Sequence, residues 1–300
     1  MFKSEEFINL AKSSFNCVKI DVINPKTRDF VMKYRPSIGI IIINDEEEEI
    51  GRYTWNPSKT DKVMEALKAI VGLKDKIAAA AKDDGKEADI TAMLDLVETY
   101  LLIEQVGKAI DTLGKVAENE KLKGDNKLRA KACYLTGKAN LMKRVFKKAC
   151  EAFEETAGID KDGLLGYKFK LQYEYAQVLV RLKKFKDAHE ALKLFIEKCK
   201  KDDNIIAAEF YMGLVLYNMN KKEEAVDSWI DFILKHENHP LAKAAENYAS
   251  FVGKQIDKEE KQAKKQEKKE EAKPEKKVEA KPEKKVEAKP EKEIEKKEKK

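Results

Sequence analysis

The sequence predicts an α+β chain, mostly α, in three parts: a small α/β domain over 1–78, a helical repeat solenoid over 86–253 and a disordered charged tail over 254–300. Three observations carry this. Helical and strand-like patterns alternate only at the N-terminal end. In the middle, a small residue, an alanine twelve later and a large apolar residue four after that recur four times. At the C-terminal end an octapeptide repeats, EAKPEKKV at 271–278 and 279–286, then EAKPEKEI at 287–294.

In the first part, SEEFINLAKSSF reads as a helix with Ser4 as N-cap and Phe7, Ile8 and Leu10 on one face. CVKIDVI alternates apolar and polar residues and reads as a strand. Asn24 caps a second helix with Pro25 at its first position. Ile40 to Ile43 form an apolar run expected to be a strand covered on both faces. The four glutamates that follow make a solvated turn into EIGRYTW, and a helix opens near PSKTDKVMEALKAIVGLKDKI. The order is helix, strand, helix, strand, strand, helix.

The repeat matches are Val97/Ala109/Leu113, Gly137/Ala149/Phe153, Ala176/Ala188/Leu192 and Gly213/Ala225/Trp229. Small residues at these offsets let two antiparallel helices approach closely, and the large residue is expected to fill the gap against the next pair. YLTGKANLMKRVFKKACEAFEE and YMGLVLYNMNKKEEAVDSWIDF resemble the tetratricopeptide repeat, whose second helix carries alanine and a large residue four later. The alanines are 40, 39 and 37 apart. The family period is about 34, so longer connections are expected.

The stretch FKSEEFINLAKSSFNCVKIDVINPKTRDFVMKYRPSIGIIIINDEEEEIGRYTW resembles the later part of a thioredoxin fold, over about residues 2 to 75. The resemblance implies a CxxC just upstream of FKSEEF, where the chain begins instead, and Cys17 has no partner thiol nearby in sequence. It also implies a cis-proline before the last two strands, where Ile38 or Gly39 stands and Pro36 is displaced. A redox-inactive domain is expected. The family's central strand would lie between CVKIDV and GIIIIND, and four alternatives stand for its place. The two strands pair directly through a right-handed crossover, a second chain donates a strand in a strand-sharing dimer, the start is internal to a longer reading frame, or the N-terminus is loose.

Charged residues make up 39% of the sequence, against about 25% in ordinary globular chains. From 254 to 300 there are 19 lysines and 14 acidic residues, which accounts for +5 of the net +6. The rest is nearly neutral, so no nucleic-acid partner is expected. No run of about 18 apolar residues occurs, so no membrane span is expected. Cys17, Cys133, Cys150 and Cys199 form no CxxC, and a cytoplasmic location with reduced thiols is the expectation. Proline every eight residues and Lys/Glu content predict a disordered tail, with a charged helix conceivable over 257–272.

No cofactor, metal or catalytic constellation is expected. Cys133 and Cys150 read as core thiols and His236 with His239 as a surface turn. The candidate partner-binding residues lie on the first helices of the repeats: Tyr134, Lys138, Lys170, Tyr173, Gln177, Arg181, Phe210, Tyr217 and Asn218. Aromatic and basic residues together suit a protein or peptide partner of acidic character; the competing reading is inter-repeat packing. Leu94 and Glu98 stand where the family's two-carboxylate clamp needs lysine and asparagine, which argues against that clamp. The expected function is a non-enzymatic adaptor or scaffold. The alternative is a thiol–disulfide oxidoreductase or thiol-dependent chaperone whose CxxC lies upstream of an internal start.

Overall fold

A computed structural model of the protein describes residues 5–17, 23–34, 39–44, 46–54, 60–81 and 89–271. The chain divides into two compact units, Met1–Lys254 and Gln255–Lys300. The expected strand over 17–22 and the octapeptide tail beyond 271 lie outside the described residues, apart from Cys17, which is exposed.

The N-terminal elements are α1 (Glu5–Ser14), α2 (Arg28–Tyr34), β1 (Gly39–Ile43), β2 (Glu49–Thr54), α3 (Thr60–Val71) and α4 (Leu73–Ala80). Asn24 caps the 3-10 turn that leads into α2, accepting from the Lys26 N–H at 2.9 Å, with Pro25 behind it. β1 and β2 form an antiparallel pair with Ile40 opposite Tyr53. The Asn44 side chain ties their turn by accepting from the N–H groups of Glu46 and Glu48. Coverage of β1 on both faces is not met among the described residues: Ile42 is buried, while Ile40, Ile41 and Ile43 are partly exposed. A two-stranded hairpin has one covering layer, here the apolar face of α3 (Val63, Met64, Leu67 and Ile70).

Helix pairs follow. The first helices are α5 (Ile90–Leu102), α7 (Asn126–Met142), α10 (Gln172–Arg181, preceded by the single turn α9, Tyr167–Lys170) and α12 (Ile205–Asn218). Their partners are α6 (Val106–Ala117), α8 (Phe146–Ile159), α11 (Phe185–Lys198) and α13 (Lys222–Lys235). One hydrophobic core contains residues from Ile42 to Val215, so α3 and α4 share it with the helix pairs that follow.

The recurring triplet is the seam inside each pair. Ala109, Ala149, Ala188 and Ala225 are all fully buried. A methyl on Gly137 would stand 2.5 Å from the Phe153 ring, and one on Gly213 would overlap the Trp229 indole. The large residue therefore lies on the small residue of its own pair and also fills the gap against the next, Phe153 meeting Tyr175 at 6.3 Å and Trp229 stacking on Tyr248 at 5.3 Å. Only a residue without a Cβ admits an aromatic ring there.

Every pair turns the same way. Glu104, Arg144, Lys183 and Asn220, each five residues before the seam alanine, have φ between 59° and 62°. The N–H of the next residue bonds five back, as from Gln105 to Tyr100, Val145 to Asn140, Lys184 to Leu179 and Lys221 to Leu216, at 2.8 to 3.0 Å. This is a Schellman ending with a side-chain-bearing residue in the left-handed position that glycine usually takes.

Between pairs the connections are longer, as the spacings require. The first contains a 3-10 turn, Glu120–Gly124. In the second the buried Asp160 carboxylate accepts from the N–H groups of Leu165, Tyr167 and Lys168 at 2.8 to 2.9 Å. Burial pushes its pKa up, but those bonds and the Lys168 charge outweigh it and hold the carboxyl below its usual range. A last helix, α14 (Pro240–Glu271), packs Ala242, Ala245 and Val252 inward and continues through the charged stretch before Pro274. There Glu260 and Lys264 pair one turn apart at 3.6 Å.

Candidate partner-binding face

The seam residue of each first helix (Val97, Gly137, Ala176, Gly213) sets a common frame for the face turned away from the second helices. Three residues before it stand Leu94, Tyr134, Tyr173 and Phe210, and all four are buried, at 0%, 3%, 9% and 7% exposure. Tyr134 packs on Phe153 and Tyr167, Tyr173 on Phe195 and Tyr211, and Phe210 on Phe232 and Tyr248, with ring centroids 5.6 to 6.3 Å apart. These three predicted binding aromatics are packing residues between helices. A position one helical turn before the seam faces the same partner helix as the seam itself.

The remaining predicted residues fall at four other offsets. Lys170 lies six before the seam, Lys138 and Gln177 one after, and Tyr217, Arg181 and Asn218 four or five after. Lys170, Arg181 and Asn218 are exposed, while Lys138, Gln177 and Tyr217 are partly so. Offsets of −6, +1 and +5 share one helix face.

The structure gathers part of this set around Tyr134. The Lys138 ammonium lies 5.4 Å from the ring centroid and that of Lys170, from the next repeat, 5.8 Å. The Tyr134 hydroxyl donates to Glu174 at 3.2 Å. Glu174 is pushed above the usual carboxylate range by burial, against the opposing pull of the Lys138 charge and the Tyr134 hydroxyl. Neither Lys138 nor Lys170 forms an ion pair among the described residues. Lys131, at the same offset as Lys170, is instead neutralised by Asp95 at 2.6 Å and Glu98 at 3.3 Å. Gln177, Arg181, Tyr217 and Asn218 lie further along the face.

Glu174, Lys131, Tyr167 and Tyr211 complete this face and were missed by reading residue types alone. Glu174 on α10 stands four after Lys170, the last residue of α9, a spacing legible in the sequence. The Lys131 pairing joins residues 36 apart and left no local signal.

The thiols of the repeats are poor nucleophiles. Burial first, and the neighbouring Glu155 second, push Cys133 up to about 12, and Cys150 and Cys199 are raised chiefly by burial. Among the described residues, no His/Cys/Asp/Glu group has the arrangement of a metal site, and no helix is long and apolar enough to cross a membrane.

No protein-family model matches the sequence, and no curated protein does. Among solved structures, the chain is similar to TPR-like repeats from Podosopora anserina assigned as a kinesin light chain, with 16% identity and a TM-score of 0.47 over 59% of this chain and 90% of that one. It is also similar to the MamA protein, with 22% identity and a TM-score of 0.41 over 62% and 87%. Likenesses at this level carry no argument; the assignment of a helical-pair array rests on the seams and turns described above.

Proposed function

We propose that this chain is a non-enzymatic adaptor that holds an acidic protein or peptide segment on the first-helix face of its repeats. One observation carries the reading: two ammonium groups from successive repeats converge on the Tyr134 ring, and neither forms an ion pair among the described residues. An acidic side chain arriving there gains two charge-assisted contacts at a surface that is already half desolvated. Arg181 and Gln177 extend the same face toward Tyr217 and Asn218 and line the path of an extended segment.

The N-terminal segment is read as a thioredoxin-like domain without redox activity, on the order of its described elements, α1, α2, β1, β2 and α3. A cytoplasmic setting fits the four free cysteines.

The test uses a fluorescent oligoglutamate peptide titrated into the full chain and into its Lys138→Ala/Lys170→Ala variant. The double substitution should weaken binding by about tenfold or more while the circular dichroism stays unchanged. Equal affinity in the two proteins would sink the assignment.

A further inference from the structure

In an array of antiparallel helix pairs the turns inside the pairs lie along one edge and the connections between pairs along the other. The turns of the second and third repeats are neighbours on that edge. α8 packs on α10, Tyr175 of α10 donates to Glu154 of α8 at 3.0 Å, and the Lys184 charge acts on the Cys150 thiol near the start of α8. Both turns are basic. The second carries Lys143, Arg144, Lys147 and Lys148, with no acidic residue from 142 to 148, and the third carries Lys183, Lys184 and Lys186, followed by Asp187. All of these cations are exposed, and none forms an ion pair among the described residues.

The helix-pair framework does not require these charges. Seven and ten residues after the seam stand Arg144 and Lys147 in the second repeat and Lys183 and Lys186 in the third, but Glu104 and Gly107 in the first and Asn220 and Glu223 in the fourth. In the fourth turn Lys221 is paired with Glu224 at 2.9 Å. Helix electrostatics explain only part of the set. Lys143, Arg144 and Lys183 follow the ends of α7 and α10, where a cation is favoured. Lys147 and Lys148 stand in the first turn of α8, Lys186 in that of α11 and Lys184 at its N-cap, where the helix dipole disfavours a cation. α8 has neither an acidic residue in its first turn nor a side-chain cap to offset them. Two successive helix starts thus keep cations that weaken them, which points to a partner outside the fold.

We propose that this edge, formed by the turns of the second and third repeats, docks on an anionic lipid surface. A lysine-rich cluster is drawn to a negatively charged leaflet as a set of point charges and needs no fixed geometry. Met142 and Val145 stand among the cations at 39% and 38% exposure. Apolar side chains so placed enter the boundary between headgroups and acyl chains, whereas the phosphates of a nucleic acid or the carboxylates of an acidic protein offer them nothing. A single-stranded nucleic acid also calls for exposed rings on which bases stack, and the aromatic residues of the two turns, Phe146 and Phe185, are partly buried. The edge does not involve Lys138 or Lys170, so it stands independently of the site around Tyr134.

The test is cosedimentation of the full chain with phosphatidylcholine vesicles, with and without phosphatidylserine. Only the vesicles that contain phosphatidylserine should retain the chain, and added salt should release it. Lys147→Glu/Lys186→Glu should weaken that binding by about tenfold or more. Its melting temperature should be unchanged or raised, since both substitutions favour their own helix starts. Lys138→Ala/Lys170→Ala should leave vesicle binding as it is, which separates this edge from the peptide site. Vesicle binding that Lys147→Glu/Lys186→Glu leaves unchanged overturns the site and moves the attraction elsewhere in the chain, the lysine-rich C-terminal residues included. Failure of the native chain to bind these vesicles overturns the lipid assignment, in favour of a nucleic acid or an acidic protein if a DNA duplex or an oligoglutamate peptide is held through the same two lysines.

Discussion

The second and fourth pairs differ from the first and third in how they make the same contact. Gly137 faces Phe153 and Gly213 faces Trp229, whereas Val97 and Ala176 are matched with Leu113 and Leu192. In the second and fourth pairs the volume missing from one helix is returned by the other, so those seams depend on the two residues together. The consequence is uneven tolerance. A pair built on glycine and a rigid ring has no room to adjust, while a pair built on alanine and leucine has rotamers to spare.

The strongest break in that comparison is Gly137→Ala. Helix propensity favours alanine by about 1 kcal/mol, but the new methyl overlaps a fully buried ring. We expect a net loss of about 3 kcal/mol in denaturant unfolding, and Phe153→Leu in the same chain should recover most of it. Without that recovery, the seam is not the unit of packing.

A smaller effect should separate the connection after the second pair from that after the third. In the former, Asp160 satisfies three part-buried N–H groups; in the latter, among the described residues, the Asp202 carboxylate accepts from the backbone and side chain of Asn204. Asp160→Ala should cost about 2 kcal/mol at neutral pH. Because the folded carboxyl is held below its unfolded value of about 3.9, this contribution is present above that value and lost as pH falls through the folded pKa. The gap between native and variant should therefore be flat down to about pH 5 and close below it; a gap unchanged at pH 2 would exclude the ionised cap.

The least effect is expected at the turns. Arg144 and Lys183 occupy a left-handed position that Asn220 tolerates more readily. Arg144→Gly and Lys183→Gly should each stabilise by about 0.5 kcal/mol, part of the relief being offset by glycine's freedom in the unfolded chain. Asn220→Gly should gain less. Thermal melts of the three variants test the order.

The helix pairs were legible because their signal is local and recurs: alanine and its companions repeat at fixed offsets, whatever the loops between them do. The Schellman turns were not, since glutamate, arginine, lysine and asparagine share no side-chain chemistry and only the backbone repeats. The isoleucine strand was readable as a strand, but its coverage depends on elements distant in sequence, and among the described residues α3 supplies it on one side. The candidate face divides in the same way. Tyr134, Tyr173 and Phe210 were chosen for residue type, and their offset from the seam turns them toward the neighbouring helices.

From the sequence alone come the helical repeats, the small-to-large seam and the length of the connections, because each depends on residues within one helix pair. The tertiary structure decided which cations form ion pairs among the described residues. Lys131 meets Asp95 and Glu98 of the preceding repeat, while Lys138 and Lys170 meet an aromatic ring. Whether a charge is neutralised depends on residues about one repeat away, and helix stacking alone brings them within reach.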